Sequence, residues 1–596
     1  MKRFGYIFGI LIMIFALSGC VEGPAASQNG SEPTKTKPSG SISPNPTTST
    51  VSTPAEVDNC SKGHLFYDDS DVCERCGADY FSATLDFSLS KTKDSYIVSG
   101  LGSCTRRKIV IPESYNGLPV TQIGDNAFSL YFNEDNGVSY CPEIEEIVLP
   151  VSVTRIGEFA FESCVRLKKI SLPDGVTELG AGAFRECYAL TELRIPDNVA
   201  VIGIGVFGFC ESLESIRLPG GITEIPDTFA MHCVKLKTVV CEGNIQHIGK
   251  EAFWGCNSLE SVDFEGDLLS AGDYAFNACK SLKFFDLGSK LEVIPCGMFV
   301  GCESLEAVVL AETLKEIGDH AFEGCTSLRQ ISIPETLESF GTDVFLKCDS
   351  LDFTVYNGMG YVGSNANPHL ILVRRLDQSK KNVVMHDDTR FLGSYAFYES
   401  DIESLYFGKN YEHKGFRSVY GIDTLAKIEV ASGNRKYHAA GNCLIETESK
   451  TLELGCYTSV IPDDGSVTDI GKYAFGRLDS LTAIVVPDSI TCIHSYAFTG
   501  CTNLKVLVIG SGVKKIEEYI LSEPKYPGAM DVFYKGSEAD WKNVVISGRD
   551  YFGAFEGNPV LLNEVNFYYY SETQPTEPGN YWHYVDGKPT PWESEE

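Results

Sequence analysis

The sequence predicts an α/β repeat solenoid, because three columns of residues recur with the same period along much of the chain. Ten cysteines follow one another at intervals of 23 residues from Cys141 to Cys348. A leucine or isoleucine stands three residues after each of them, and a phenylalanine stands three residues before most of them. Units of this length bury a core only when neighbouring units stack, so the period indicates a solenoid.

Each unit is predicted to contain one strand and one short helical turn. Ala160, Phe161, Cys164 and Leu167 have the spacing that places them on one inward face of such a turn. A short apolar strand then ends at Leu172-Pro173. The chain is therefore expected to form leucine-rich repeats of 23 residues with one strand per unit.

The cysteine column is expected to lie in the repeat core. A disulfide staircase between neighbouring units is one interpretation, since stacked strands bring Cα atoms to a suitable separation. Buried thiols are favoured, because free cysteine packs as a small apolar residue beside the phenylalanines. The predicted core members are Cys164, Cys187, Cys210, Cys233, Cys256, Cys279, Cys302, Cys325 and Cys348.

The repeat resembles a known family. The pattern I-P-x-x-V-T-x-I-G-x-x-A-F-x-x-C-x-x-L-x-x-I occurs, with leucine for isoleucine, from Leu172 to Leu193. It is similar to the BspA-like, or Treponema-type, leucine-rich repeats of bacterial surface proteins, and the likeness covers most of residues 100 to 570. The resemblance implies a surface protein that adheres to host matrix proteins, host cells or other bacteria.

Composition and pattern divide the chain into eight segments. The predicted segments are a lipoprotein signal peptide (1–19), a lipidated cysteine with a Ser/Thr/Pro-rich tether (20–57), a small zinc-ribbon-like module (58–80), N-terminal cap hairpins (81–127), repeat block one (128–351), degenerate repeats with inserted hairpins (352–465), repeat block two (466–562), and an aromatic C-terminal hairpin cap with a tail (563–596).

The first twenty residues predict export and lipid anchoring. Lys2 and Arg3 precede an apolar run from Phe4 to Leu17, which is too short to span about 30 Å of hydrocarbon. The run ends in Leu-Ser-Gly-Cys, which resembles a bacterial lipobox and implies lipidation at Cys20. The predicted location is the bacterial cell surface, outside the cytoplasm and attached to the membrane through the N-terminal lipid.

A small metal site is predicted after the tether. Cys60, His64, Cys73 and Cys76 have the spacing of two close ligand pairs, which suits tetrahedral zinc. Four protein ligands leave no position for water, so the zinc would be structural and would supply folding energy. Disulfides or a redox pair of Cys73 and Cys76 remain the alternative.

Charge and motifs argue against two classes of function. The formal net charge of −32 would repel nucleic acid at long range. The one dinucleotide-like motif, at Gly203–Gly208, contains the glycine of the repeat and lacks the strand and helix that the motif requires. The chain is therefore predicted not to be an enzyme and to have no catalytic cofactor or catalytic residue.

Binding of an extracellular or host matrix protein remains the main expected function, and strand alternation indicates where. The predicted partner-binding strip consists of Lys169, Glu192, Arg194, Arg217, Val240, Asp263, Phe284, Asp286, Val309 and Gln330. Two alternatives stay open. The C-terminal aromatics, including Tyr581, Trp582 and Trp592, would bind glycans or cell wall if they do not simply cap the solenoid, and the whole chain would act as a passive spacer if the strip binds nothing.

Overall fold

The computed structural model describes residues 80–129, 131–133, 138–140, 143–415, 418–521, 530–547, 565–576 and 579–592. The chain divides into two compact units, residues 1–61 and 62–596, and all described residues belong to the second unit. The predicted lipidation site and the four predicted zinc ligands lie outside the described residues. Within those ranges, no helix has both the length and the apolar character needed to cross a membrane.

The first part of the described chain contains one short helix and 24 strands. In chain order the elements are α1 (Tyr80–Thr84), β1 (Asp86–Leu89), β2 (Tyr96–Gly100), β3 (Lys108–Val110), β4 (Ser114–Tyr115), β5 (Leu118–Ile123), β6 (Tyr131–Asn133), β7 (Val138–Tyr140), β8 (Glu146–Val148), β9 (Arg155–Ile156), β10 (Lys169–Ser171), β11 (Glu178–Leu179), β12 (Val201–Ile202), β13 (Ser215–Leu218), β14 (Glu224–Ile225), β15 (Thr238–Asn244), β16 (His247–Ile248), β17 (Ser261–Glu265), β18 (Ser270–Ala271), β19 (Phe284–Asp286), β20 (Val293–Ile294), β21 (Ala307–Val309), β22 (Glu316–Ile317), β23 (Gln330–Ile331) and β24 (Ser339–Phe340).

The second part contains 21 strands and one short helix. Its elements are β25 (Thr354–Tyr356), β26 (Met359–Val362), β27 (Ile371–Arg375), β28 (Asn382–Val384), β29 (Phe391–Leu392), β30 (Ser404–Phe407), β31 (His413–Lys414), β32 (Lys427–Val430), β33 (Tyr437–Ala440), β34 (Cys443–Glu446), β35 (Thr451–Leu454), β36 (Asp469–Ile470), β37 (Ala483–Val486), β38 (Cys492–Ile493), β39 (Val506–Ile509), β40 (Lys515–Ile516), β41 (Asp531–Tyr534), α2 (Glu538–Trp541), β42 (Val545–Ile546), β43 (Asn566–Tyr570), β44 (Tyr581–Val585) and β45 (Lys588–Pro591).

The predicted repeat solenoid is confirmed, but the expectation of one strand per unit is wrong. Most regular coils contribute two strands, such as β10 and β11, and within each sheet these strands pair in parallel with their equivalents in neighbouring coils. The first strands form one ladder and the second strands form another. We call them the first ladder and the second ladder. The second strand was not predicted because two residues are too few to show an alternating pattern.

The return between coils consists of turns and not of the predicted helical turn. In the coil that contains Cys187, Gly182 and Glu186 have positive φ angles of 59° and 60°, which interrupt a right-handed helix. Their backbone N–H groups donate instead to carbonyl groups of the next coil. Among the described residues, the two helices have only five and four residues.

Stacked phenylalanines hold the interior of the solenoid together. The rings of Phe161 and Phe184 lie with their centroids 5.3 Å apart, and those of Phe184 and Phe207 lie 5.9 Å apart, both nearly parallel. All three side chains are fully buried. Each coil therefore buries its core against the coils on either side, as a repeat of this kind requires.

Antiparallel hairpins interrupt the middle of the solenoid without ending its parallel pairing. Strands β25, β26 and β27 form one meander, and β33, β34 and β35 form another. Parallel pairing resumes from β27 to β29 and from β35 to β36. The second ladder of the last coils, from β36 through β38 and β40 to β42, follows directly from the second meander.

A proline-containing strand ends the first ladder. Strand β45 pairs antiparallel with β44. The N–H of Trp592 donates to the carbonyl of Tyr581, so Pro589 and Pro591 occupy the alternate positions, whose N–H groups would face away from the sheet. Proline has no N–H, so this edge offers few donors to another strand.

Candidate interaction surface

The predicted strip lies on the outward face of the first ladder. In β19 the side chain of Phe284 is 52% exposed, whereas that of the next residue, Phe285, is 3% exposed. The same alternation exposes Lys169 and Ser171 on either side of buried Ile170 in β10. Nine of the ten predicted residues are exposed and Arg217 is half-buried. For the eight residues that lie on strands, alternation along the strand accounts for this exposure.

One coil interrupts the sheet of the first ladder. Glu192 and Arg194 are exposed, but they lie on no strand. One sheet of the first ladder ends at β10, the next begins at β13, and the backbone between them makes no ladder pairing. The strip therefore consists of separate three-stranded sheets in this region.

The arginines of the strip are paired within the chain. Arg194 lies 2.8 Å from Asp174, and Arg217 lies 2.9 Å from Asp197 and makes two bonds of 2.7 and 2.5 Å with Glu242. The hydrogen bond to Asp197, followed by that to Glu242, raises the pKa of the Arg217 guanidinium. Because these partners are 20 or 25 residues away in sequence, the pairing depends on stacked coils. The region is therefore a charge-balanced network of ion pairs.

The apolar members of the strip are separated by polar neighbours. Val240 is 43% exposed and Val309 is 45% exposed. Val240 pairs with Arg217 on one side and Asp263 on the other, and Val309 pairs with Asp286. This arrangement gives isolated apolar anchors inside a charged surround, with Phe284 as the largest.

A second apolar region on the same face was missed in the sequence. Val485 is 51% exposed, while Val508 and Phe533, which follow it in register along the ladder, are 1% and 2% exposed. They are covered by Trp582, whose indole Nε1 donates to the carbonyl of Tyr534 over 2.8 Å. The sequence did contain a signal for this buried region, since β39 and β41 have apolar residues on both faces.

The C-terminal aromatics mostly pack against one another. Trp582 is fully buried, and Trp592 stacks on His583 with ring centroids 3.6 Å apart. Tyr581 is half-buried, and Tyr584 is 44% exposed. The ring of Trp582 and the face of Trp592 that stacks on His583 are therefore not available to stack on a sugar.

The cysteine column lies inside the coils and hydrogen-bonds to the backbone. The nine predicted core cysteines are thiols and not disulfides, and all are fully buried. The thiol of Cys210 donates to the carbonyl of Phe184 over 3.1 Å, and the same carbonyl accepts from the N–H of Cys187. Burial raises the pKa of Cys256 to about 12, so this thiol stays protonated as a donor requires.

Family comparison agrees with this geometry. Six copies of a family model described as "BspA type Leucine rich repeat region" match residues 121–260, 223–352, 377–464 and 448–526, which together form more than half of the chain. No curated protein matches the sequence.

Solved structures of bacterial leucine-rich repeat proteins are also similar. One from Bacteroides ovatus ATCC 8483 is 23% identical, with 76% of this chain and 93% of that chain covered and a TM-score of 0.39. A leucine rich cell surface protein from Faecalibacterium prausnitzii A2-165 is 20% identical, with 77% and 96% covered and a TM-score of 0.27. The match of the family model over most of the repeat region shows that this chain belongs to the BspA-type leucine-rich repeat family.

Proposed function

We propose that this chain is a cell-surface binding protein, or adhesin, whose first-ladder strip recognises an extracellular protein such as a host matrix protein. The observation that supports the proposal most directly is the exposure of Phe284, a large aromatic side chain that projects from the outward face of β19. Aromatic side chains that stand out of a rigid surface are the usual anchors of protein interfaces.

The rigidity of the strip also favours binding. Strand β19 pairs with β21, and β21 pairs with β23, so the backbone beneath the exposed residues is already ordered. A partner would therefore cause little loss of backbone entropy in this chain when it binds. The ion pairs of Arg194 and Arg217 hold charged side chains in place at one end of the strip, where they would select a partner by charge complementarity.

The proposed location places the strip outside the cell. Lipidation at Cys20 would anchor the chain, and the Ser/Thr/Pro-rich segment would separate the solenoid from the membrane. A structural zinc bound by Cys60, His64, Cys73 and Cys76 would stabilise the module between tether and solenoid. The acidic net charge argues against nucleic acid as a partner, and the proposal includes no catalysis and no catalytic cofactor.

Capture of matrix proteins by the purified chain tests this function. The strip variant is the triple substitution Val240→Ser, Phe284→Ala and Val309→Ser. The matched control is Val201→Ser with Val293→Ser, which removes two exposed valines, 54% and 42% exposed, from the second ladder. Both proteins and the wild type are mixed with host matrix proteins and with cell-wall glycans, and bound material is quantified.

The outcomes separate the candidate functions. Protein capture that is lost in the strip variant and retained in the control supports the proposal. Protein capture that survives in the strip variant would refute the assignment of the strip as the binding site. Capture of glycans alone would indicate a binding site elsewhere on the surface. No capture by the wild-type chain would favour a passive spacer.

A further inference from the structure

Cys492 is an unusual residue on the second ladder of the last coils. Cys492 begins β38, and it pairs in register with Asp469 of β36 and with Lys515 of β40. Cys492 does not belong to the cysteine column, which in this coil is represented by Cys501. At the equivalent ladder position, other regular coils have Arg155, Glu178, Val201, Glu224, His247, Ser270, Val293, Glu316 and Ser339.

His494 and Glu517 occupy a position that is usually glycine. The N–H of His494 donates to the carbonyl of Ile470 over 2.9 Å, as the N–H of the repeat glycine does in other coils, and the N–H of Glu517 makes the same bond to Ile493. Glycine stands at this position in most other coils, including Gly157, Gly180, Gly203, Gly249, Gly272, Gly318, Gly341 and Gly471, and proline stands there at Pro226 and Pro295.

The usual glycine has a steric reason. A Cβ atom at Gly180 would lie 2.5 Å from the backbone nitrogen of Glu158, and one at Gly203 would lie 2.2 Å from that of Ala181. Replacement of glycine by histidine and by glutamate in two consecutive coils therefore runs against the packing rule of the repeat. His494 stands in the one coil that has cysteine on its second ladder among the regular positions compared above, and Glu517 stands in the next coil, where the other coils have glycine or proline at this position. This coincidence suggests that these side chains serve a common purpose.

The side chains converge on one point at the surface. Ligand atoms of Asp469, Cys492 and His494 all lie within 4.8 Å of one another. The thiol of Cys492 lies 3.9 Å from Nδ1 of His494, and Oε2 of Glu517 lies 3.2 Å from the same nitrogen. The side chain of His494 is 36% exposed and that of Glu517 is 24% exposed, so an ion has access from solvent.

Neighbouring groups hold the carboxylates in place. The ammonium of Lys515 lies 2.7 Å from Oε1 of Glu517, and both the N–H and the hydroxyl of Ser495 donate to Oε2 over 3.2 Å. The hydroxyl of Thr468 donates to Asp469 over 2.6 Å. Such outer contacts orient the ligands of metal sites in proteins.

We propose that Asp469, Cys492 and His494 bind a divalent transition-metal ion of the zinc class, with Oε2 of Glu517 as the fourth ligand. Sulfur, nitrogen and oxygen donors together suit Zn²⁺. A tetrahedral site with bonds of about 2.0 to 2.3 Å needs a contraction of the three-residue cluster of Asp469, Cys492 and His494 and a closer approach of Glu517, which that cluster does not include. Binding would convert the Cys492 thiol to a thiolate and release its proton to solvent.

Electrostatics around the cluster agree with a cation at its centre. A divalent ion would lie between the Cys492 thiolate and the carboxylates of Asp469 and Glu517 and would balance their negative charges. With the ammonium of Lys515 included, the occupied cluster would carry no net formal charge.

Cobalt titration of the full-length chain tests the site. Co²⁺ is used because a thiolate ligand produces a visible charge-transfer band and tetrahedral geometry intensifies the d–d bands. All proteins carry Cys60→Ser, Cys73→Ser and Cys76→Ser, so the predicted N-terminal site does not contribute. The site variants are Cys492→Ala and His494→Gly, the second of which restores the residue typical of the repeat.

Two control variants match the site variants elsewhere in the solenoid. His247→Ala removes a histidine at the ladder position of Cys492 in another coil, and Cys296→Ala removes a half-buried cysteine outside the cysteine column. The melting temperature of each protein is measured with and without Zn²⁺. An ion that binds only the folded state must raise this temperature.

The expected result is a single equivalent of Co²⁺ with a thiolate band, together with a rise in melting temperature on addition of Zn²⁺. Both site variants should lose the band and the rise, and both controls should keep them. The absence of a thiolate band in the parent protein, or its persistence in His494→Gly, would overturn the proposal. Equal melting temperatures of the metal-free proteins would show that the losses do not reflect misfolding.

Discussion

Two adjacent phenylalanines allow the fold and the proposed function to be tested separately. Phe285 is 3% exposed, and its ring contacts Phe276 and Phe299 with centroids 4.7 and 5.4 Å away. Phe284 is 52% exposed on the opposite face of the same strand. Substitution of either residue by alanine removes the same atoms from the same strand, so each variant is the control for the other.

The structure predicts very different losses of stability. Phe285→Ala removes a buried ring and leaves a cavity, for which about 3 to 5 kcal/mol is typical. Phe284→Ala truncates a residue that is 52% exposed, and its cost should stay within about 0.5 kcal/mol. Because each coil packs mainly on its neighbours, the loss in Phe285→Ala should be concentrated in the coils from 276 to 308.

Amide hydrogen exchange measures this local stability. A loss of about 3 to 5 kcal/mol in Phe285→Ala corresponds to exchange about a hundred to four thousand times faster, since each 1.4 kcal/mol is a factor of ten. Phe284→Ala should exchange like the wild type and should lose protein capture. Equal exchange in the two variants would refute the assignment of the two faces of β19.

Three further predictions concern other parts of the solenoid. Iodoacetamide at about pH 8 should leave Cys256 unmodified in the folded chain and modify it after unfolding, because burial raises the pKa of this thiol to about 12. Mass spectrometry measures the modification, and rapid modification of the folded chain would contradict the prediction. Burial, assisted by Lys436, lowers the pKa of His413, so its contribution to stability is complete above the ordinary pKa of about 6.5 and is lost as pH falls through the folded value. The melting temperature of His413→Gln should therefore fall less than that of the wild type on acidification, and an equal fall would contradict this assignment. Trp582→Ala should cost about 3 to 5 kcal/mol and expose the C-terminal strands to trypsin, whereas unchanged proteolysis would show that Trp582 does not hold the cap.

The first ladder was predictable because its information is local. In β10 and β19 the inward and outward residues alternate within three positions, and each strand follows the cysteine column at a constant distance. The predicted outward residues therefore reach the surface at the expected places. The second ladder was not predictable, because β11 consists of two residues, Glu178 and Leu179, which carry no periodic signal.

The candidate sites depended more strongly on contacts between coils. The sequence predicted that Arg217 faces outward but not its partners, since Asp197 and Glu242 reach it from the neighbouring coils. The cluster around Cys492 joins residues from three second-ladder strands, a ladder whose existence the repeat pattern did not reveal. Its only signal in the sequence was the loss of the repeat glycine at His494 and Glu517.

The amino-acid sequence by itself determined the repeat, its period and the identity of the buried columns. The reason is that every coil buries the same kinds of residue at the same positions, within a segment of 23 residues. Only the tertiary structure decided which charges are paired, which apolar faces are covered and which side chains meet across coils. Trp582 illustrates the difference, since it covers Phe533 and bonds to Tyr534 from 48 residues away. Such contacts depend on the stacking of coils and on the path of the chain end, which no single repeat specifies.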